Sequence, residues 1–169
     1  MGEPLPQADS VTPGRWSAIL NPANYWRKRR EERIRRERAE LSGYLEAAIP
    51  LILQSGRLYE EWRESVSEPI RNGQIAANLS AGYWWRITDT LRKFEEIPAP
   101  KPAQRHHKLF VDALRNASEG AEVVKNGFRF NKYVEISRGM GFLDRYVELA
   151  AEAEVELGRL REVYGLPAR

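Results

Sequence analysis

The chain has 169 residues, 42% apolar and 30% charged, a composition that suits one domain, or one domain with an arm, and excludes wholesale disorder. It contains no cysteine, which excludes disulfides, thiolate catalysis and cysteine-ligated metal centres and suits a reducing compartment. The net charge of +3 is unevenly spread: between positions 15 and 38, nine basic residues face only Glu31, Glu32 and Glu37, whereas residues 41–169 are formally neutral.

Residues 1–20 hold Pro4, Pro6, Pro13 and Gly14 without periodicity and read as an extended or disordered lead. Met1-Gly2-Glu3-Pro4 lacks the basic and apolar blocks of a secretory signal. Asn21-Pro22 pairs an N-cap residue with proline at the first helical position, a helix start. From there Ile34, Leu41, Tyr44, Leu45, Ala48, Leu51, Ile52, Leu58, Tyr59, Trp62 and Val66 recur in steps of three, four and seven, which defines one helical face. Pro50 interrupts this stripe. It removes a backbone donor and crowds the Glu46 carbonyl, so a kink or break is expected near residues 46–50.

Ser67-Glu68-Pro69 and Asn72-Gly73 mark a turn. A second helix is predicted over 74–96, with Ala76, Ala77, Tyr83, Trp84, Ile87, Leu91 and Phe94 on its inner face. The proline-rich run from Ile97 to Pro102 is a stiff connector. A third helix follows over 102–126, its inward positions Phe110, Ala113, Leu114, Ala117, Gly120, Ala121 and Val124, with Gly127 as its left-handed cap. A fourth opens near Asn131 and closes before Gly165 and Pro167. Its heptad positions Ile136, Leu143, Ala150, Leu157 and Tyr164 are apolar, supported by Tyr146, Val147, Ala153 and Leu160. Gly139 and Gly141 each cost about 1 kcal/mol within a helix, or divide it in two.

No segment alternates apolar and polar residues with hairpin chemistry; Phe128-Arg129-Phe130, the best strand candidate, is too short to seed a sheet. The expected fold is therefore all-α, an antiparallel bundle of about four helices. Residues 41–169 would form the bundle and 21–40 a basic helical arm. A helix over 22–66 would be about 67 Å long against about 35 Å for the second helix, so the first should overhang or bend. The apolar stripe thins before Ile34, so the overhang should be the basic part.

The arm carries the candidate binding residues: Trp16, Tyr25, Trp26, Arg27, Lys28, Arg29, Arg30, Arg33, Arg35 and Arg36. Guanidinium forks suit phosphate oxygens, counterion release supplies affinity, and a tryptophan can stack on an exposed base. No base-reading motif accompanies them, so recognition of a particular nucleic-acid sequence is not expected. The competing reading is a solvated helix laced by four-apart pairs, Arg27–Glu31, Lys28–Glu32, Arg33–Glu37 and Arg36–Glu40. An anionic membrane fits the arm less well, because it lacks a continuous apolar face. Trp85, beside inward-facing Trp84, either covers the core locally or offers a protein interface.

Nothing in the chain points to a cofactor or a catalytic constellation. His106 and His107 would point about 100° apart on a helix and lack a ligand three or four positions away, so they read as a pair at the bundle edge rather than a metal site. Glu-x-x-His pairs of the di-iron kind are absent. Glu60-Glu61 and Glu95-Glu96 read as solvated charge, and Gly139-Met140-Gly141 lacks the spacing of a phosphate loop. Asn78-Leu79-Ser80 matches a glycosylation acceptor by chance. The longest apolar run, from Ala47 to Leu53, falls well short of the ~18 residues of a membrane span. The expectation is a cytoplasmic, non-catalytic interaction protein. It would dock to a larger assembly or an anionic partner, nucleic acid among them, through the basic helix. The alternatives are a structural or homo-oligomerising subunit and an enzyme with an interhelical pocket.

Overall fold

The computed structural model describes residues 22–67 and 73–167, and among them it is all-α: four helices and no strand. Trp16, the lead over 1–20, the Asn21 cap and the turn signals at Glu68, Pro69 and Asn72 lie outside the described residues. The helices are α1 (Pro22–Ser67), α2 (Gly73–Glu95), α3 (Gln104–Arg129) and α4 (Tyr133–Tyr164), with a 3-10 turn over Lys101–Ala103 ahead of α3. By contacts the chain divides into two compact units, Met1–Arg36 and Glu37–Arg169.

The second unit is a helical bundle whose register is given by its cross-helix pairs. Trp62 stacks on Tyr83 at 5.3 Å and Glu61 meets Arg86 at 3.1 Å, so α1 and α2 run antiparallel. Arg115–Glu95 at 2.7 Å and Thr88–Ser118 at 2.7 Å set α2 against α3 in the same sense. Gly120 lies against Gly139 and Gly127 against Ile136, which makes α3 and α4 antiparallel. Tyr164 donates to Glu37 at 3.1 Å while Tyr59 packs on Tyr146 at 5.3 Å, closing α4 back onto α1. Each helix thus reverses the direction of the one before it.

The apolar stripes bury as their periodicity requires. Leu41, Tyr44, Ala48, Leu58 and Trp62 of α1, Ile87 and Phe94 of α2, Phe110 and Leu114 of α3, and Leu143 and Leu160 of α4 are all buried in one cluster. The leucine, isoleucine and phenylalanine side chains among them each contribute about 1.5–3 kcal/mol on leaving water. Aromatic pairs such as Phe94–Phe110, 4.8 Å apart, add roughly 0.5–1.5 kcal/mol each.

Four expectations need correction. First, of the kink or break expected near Pro50, the break is absent: α1 is continuous from Pro22 to Ser67. Pro50 is exposed, so its ring faces water while Leu45, Ala48 and Leu58 around it hold the helix to the core. Second, Gly127 is not the cap of α3. The helix runs on to Arg129, and Asn131, at φ 54°, takes the left-handed position. Asn131 N donates to Phe128 O at 3.3 Å and Lys132 N to Gly127 O at 2.8 Å, the paired bonds of a Schellman stop. Gly127 serves contact instead: a Cβ there would sit 2.7 Å from Ile136 Cγ1. Third, of the two readings of Gly139 and Gly141, the division of α4 is set aside: the helix runs through both. A Cβ on Gly139 would lie 2.6 Å from Val124 Cγ2, whereas one on Gly141 would meet nothing within 4 Å. Fourth, Val147 does not support the α4 core; it is 45% exposed. The end of α4 follows expectation, with Gly165 left-handed at φ 59°.

Candidate polyanion-binding face

Within the first unit, α1 carries the arm from Pro22 to Arg36, and every side chain from Asn24 to Arg36 is exposed. Helical periodicity sorts the candidates onto two faces. Trp26, Arg29, Arg30, Arg33 and Arg36 recur in steps of three and one and, together with Glu32, line one open surface depression. Tyr25 joins them: the Arg29 guanidinium lies over its ring at 5.1 Å, and the ring meets Trp26 edge-on at 5.6 Å. Trp26 is 64% exposed.

Arg27, Lys28 and Arg35 turn to the other side of the helix. Arg27 stands 3.9 Å from Glu31, the i,i+4 pair expected there, and both partners are exposed. Such a pair contributes no more than about 1 kcal/mol. The face with four arginines and two aromatic rings is thus separated from the Arg27–Glu31 pair. The four guanidinium groups, Arg29 to Arg36, are spread along about two turns of α1.

Trp85 is 67% exposed, so it does not cover the core. The inward stripe of α2 passes through Tyr83, Ile87, Thr90 and Phe94. Trp84 is half-buried, its ring capped by the Lys125 ammonium at 3.9 Å and tilted against Trp85 at 5.0 Å. Glu61, Glu95 and Glu96 are engaged in surface ion pairs with Arg86, Arg115 and Arg92, in keeping with solvated charge.

His106 departs most from its sequence reading. It is 1% exposed, inside the bundle rather than at its edge. Its Nδ1 lies 2.7 Å from the Tyr44 hydroxyl, and its ring stacks with Phe110. Burial pushes its pKa down to about 4, reinforced by His107 and Arg161 and opposed by Glu156. The ring is therefore neutral at pH 7. Burial likewise raises the Tyr44 hydroxyl far above its ordinary value. Glu156, also buried, accepts two hydrogen bonds from Arg159 at 2.6 and 3.0 Å, and Arg105 stands 3.8 Å away. Arg159 holds that carboxyl below the usual carboxylate range. The signal for His106 was present in the sequence, since it lies four residues before Phe110 on the inward stripe.

A groove of about 410 Å³ opens between α1 and α2, lined by Leu58, Trp62, Ile75, Leu79 and Tyr83 with the Glu61–Arg86 pair at its rim. Among the described residues no group of three His, Asp or Glu side chains is placed to hold a metal ion, and no helix is long and apolar enough to cross a membrane. Fold and composition define the chain as a cysteine-free helical bundle preceded by a basic helical segment. No protein-family model, curated protein or solved structure matches it.

Proposed function

We propose that the protein is a non-catalytic interaction module that docks to a polyanion, with single-stranded nucleic acid the best fit, through the α1 face bearing Tyr25, Trp26, Arg29, Arg30, Arg33 and Arg36. The observation that carries this reading is the gathering of four exposed arginines and an exposed indole on one surface, which Glu32 also lines. The arginines would track the phosphate backbone and release its counterions. Trp26 would stack on an unpaired base, a contribution of about 1–3 kcal/mol that tolerates any sequence. The bundle would act as the rigid carrier in the cytoplasm, and Trp85 would add a protein contact within a larger assembly.

The test is binding of a fluorescently labelled single-stranded oligonucleotide, followed by anisotropy at low salt. Replacing Arg29, Arg30, Arg33 and Arg36 with alanine should abolish binding while leaving the circular dichroism of the bundle unchanged. Replacing Arg27, Lys28 and Arg35 instead should weaken it much less. Equal loss from both sets would overturn the assignment to one face. A stable oligomer in sedimentation that ignores oligonucleotides would favour the alternative, a structural subunit with a solvated charged helix.

A further inference from the structure

The turn between α3 and α4 presents a second candidate surface, built from residues other than those of the arm. Phe130, Tyr133 and Val134 are 61%, 76% and 81% exposed, three large apolar side chains within five residues. Scattered exposed apolar residues are ordinary, but three within five residues at one turn are not. The tip is held in shape by the Asn131 left-handed residue and the bonds to Gly127 and Phe128 described above, so exposure of these side chains is built in. Two cations flank them: the Arg129 guanidinium and Lys132 ammonium lie 5.7 and 6.0 Å from the Phe130 ring centre. No acid occurs from Gly127 to Val134, and the first one beyond, Glu135, is paired with Arg138 at 3.0 Å.

We infer that this tip inserts into the interface of an anionic lipid bilayer. The chemistry favours lipid over other partners on three counts. Exposed apolar side chains at a turn gain from a surface that deforms around them, as headgroups and acyl chains do. Aromatic rings flanked by Lys and Arg match the layered polarity of that interface, with rings at headgroup depth and cations against lipid phosphates. Val134, the most exposed of the three, has no use in stacking on a base but gains from acyl contact. Such an anchor is weak and reversible, and depends on both the apolar side chains and the anionic headgroups.

The cysteine-free sequence makes the test direct. A single cysteine is introduced in the full chain as Val134→Cys, or as Val155→Cys on the exposed outer side of α4 as a control, and tagged with a polarity-sensitive fluorophore. Each protein is mixed with phosphatidylcholine vesicles containing about one-third phosphatidylserine, or none. The expected result is a blue shift and a severalfold brightening at position 134, only with the anionic vesicles, and no change at 155. Phe130→Ser with Tyr133→Ser should lower sedimentation with these vesicles by roughly tenfold or more, without loss of thermal stability. The inference is overturned if the protein does not bind anionic vesicles. It is equally overturned if it binds them while the label at 134 stays in water, which would assign binding to the arm, or if an oligonucleotide rather than the vesicles shifts that label.

Discussion

Lowering the pH from 7 to 4 should cost this protein about 3 kcal/mol of stability through His106 alone. In the folded chain the ring has a pKa of about 4 against 6.5 for a free histidine, with desolvation the leading cause. A tenfold change in proton affinity is worth about 1.4 kcal/mol, so the full difference is about 3 kcal/mol. Because the folded value is the lower one, the unfolded chain binds the extra proton first. The stabilisation is therefore complete above pH 6.5 and is lost as the pH falls through 6.5 towards 4. The groups facing the ring are Tyr44 on α1, His107 beside it, and Glu156 and Arg161 on α4; Glu156 alone favours the charged ring. Other carboxylates titrate in the lower part of this range, so the assay is a comparison. Urea unfolding of the wild type and of His106→Gln is measured at intervals between pH 7 and 4. The wild type's advantage over the variant should shrink by about 3 kcal/mol across that window. An imidazole resonance of His106 that titrates above pH 6 in the folded protein would refute the reasoning.

Removing the Tyr44 hydroxyl as Tyr44→Phe should cost about 1–3 kcal/mol in urea unfolding, because it strips His106 Nδ1 of its 2.7 Å partner inside the core. The α4 glycines should respond in opposite senses. Gly141→Ala, in open space, should stabilise by about 0.5–1 kcal/mol, whereas Gly139→Ala, pressed on Val124 and the Gly120 carbonyl, should destabilise by roughly 1–3 kcal/mol, both read from thermal melts. Trp85→Ala should change stability by no more than about 0.5 kcal/mol, since the indole is exposed, yet should weaken any protein contact made there, measured by cross-linking in extracts.

The fold was legible in the sequence where periodicity and capping agreed. The heptads of α4 and the small-residue stripe of α3 identified their buried faces, and Gly165 marked a helix end, because each of these signals is local. Where a residue's role depended on another helix, local reading failed. Gly127 looked like a cap, yet its lack of a side chain serves contact with Ile136, and the stop fell instead at Asn131. His106 looked peripheral because polar residues near helix starts usually face water; Tyr44, more than sixty positions away, supplies the hydroxyl that makes burial tolerable. Ser55 and Ser80 are buried for the same reason, through Tyr146 and Trp62. The basic character of the candidate face was plain from composition. Its division into an arginine–aromatic side and an Arg27–Glu31 side follows from helical spacing, which the sequence contained but charge counting did not extract.

The salt dependence of oligonucleotide binding by the intact protein bears most directly on the arm. If four arginines of α1 each displace a counterion from a single strand, the logarithm of the association constant should fall against the logarithm of salt with a slope of roughly −3, at about 0.7 per contact. Anisotropy titrations at several salt concentrations give that slope. A value near zero, or no binding at the lowest salt, would contradict the account and leave the basic helix a solvated extension of the bundle.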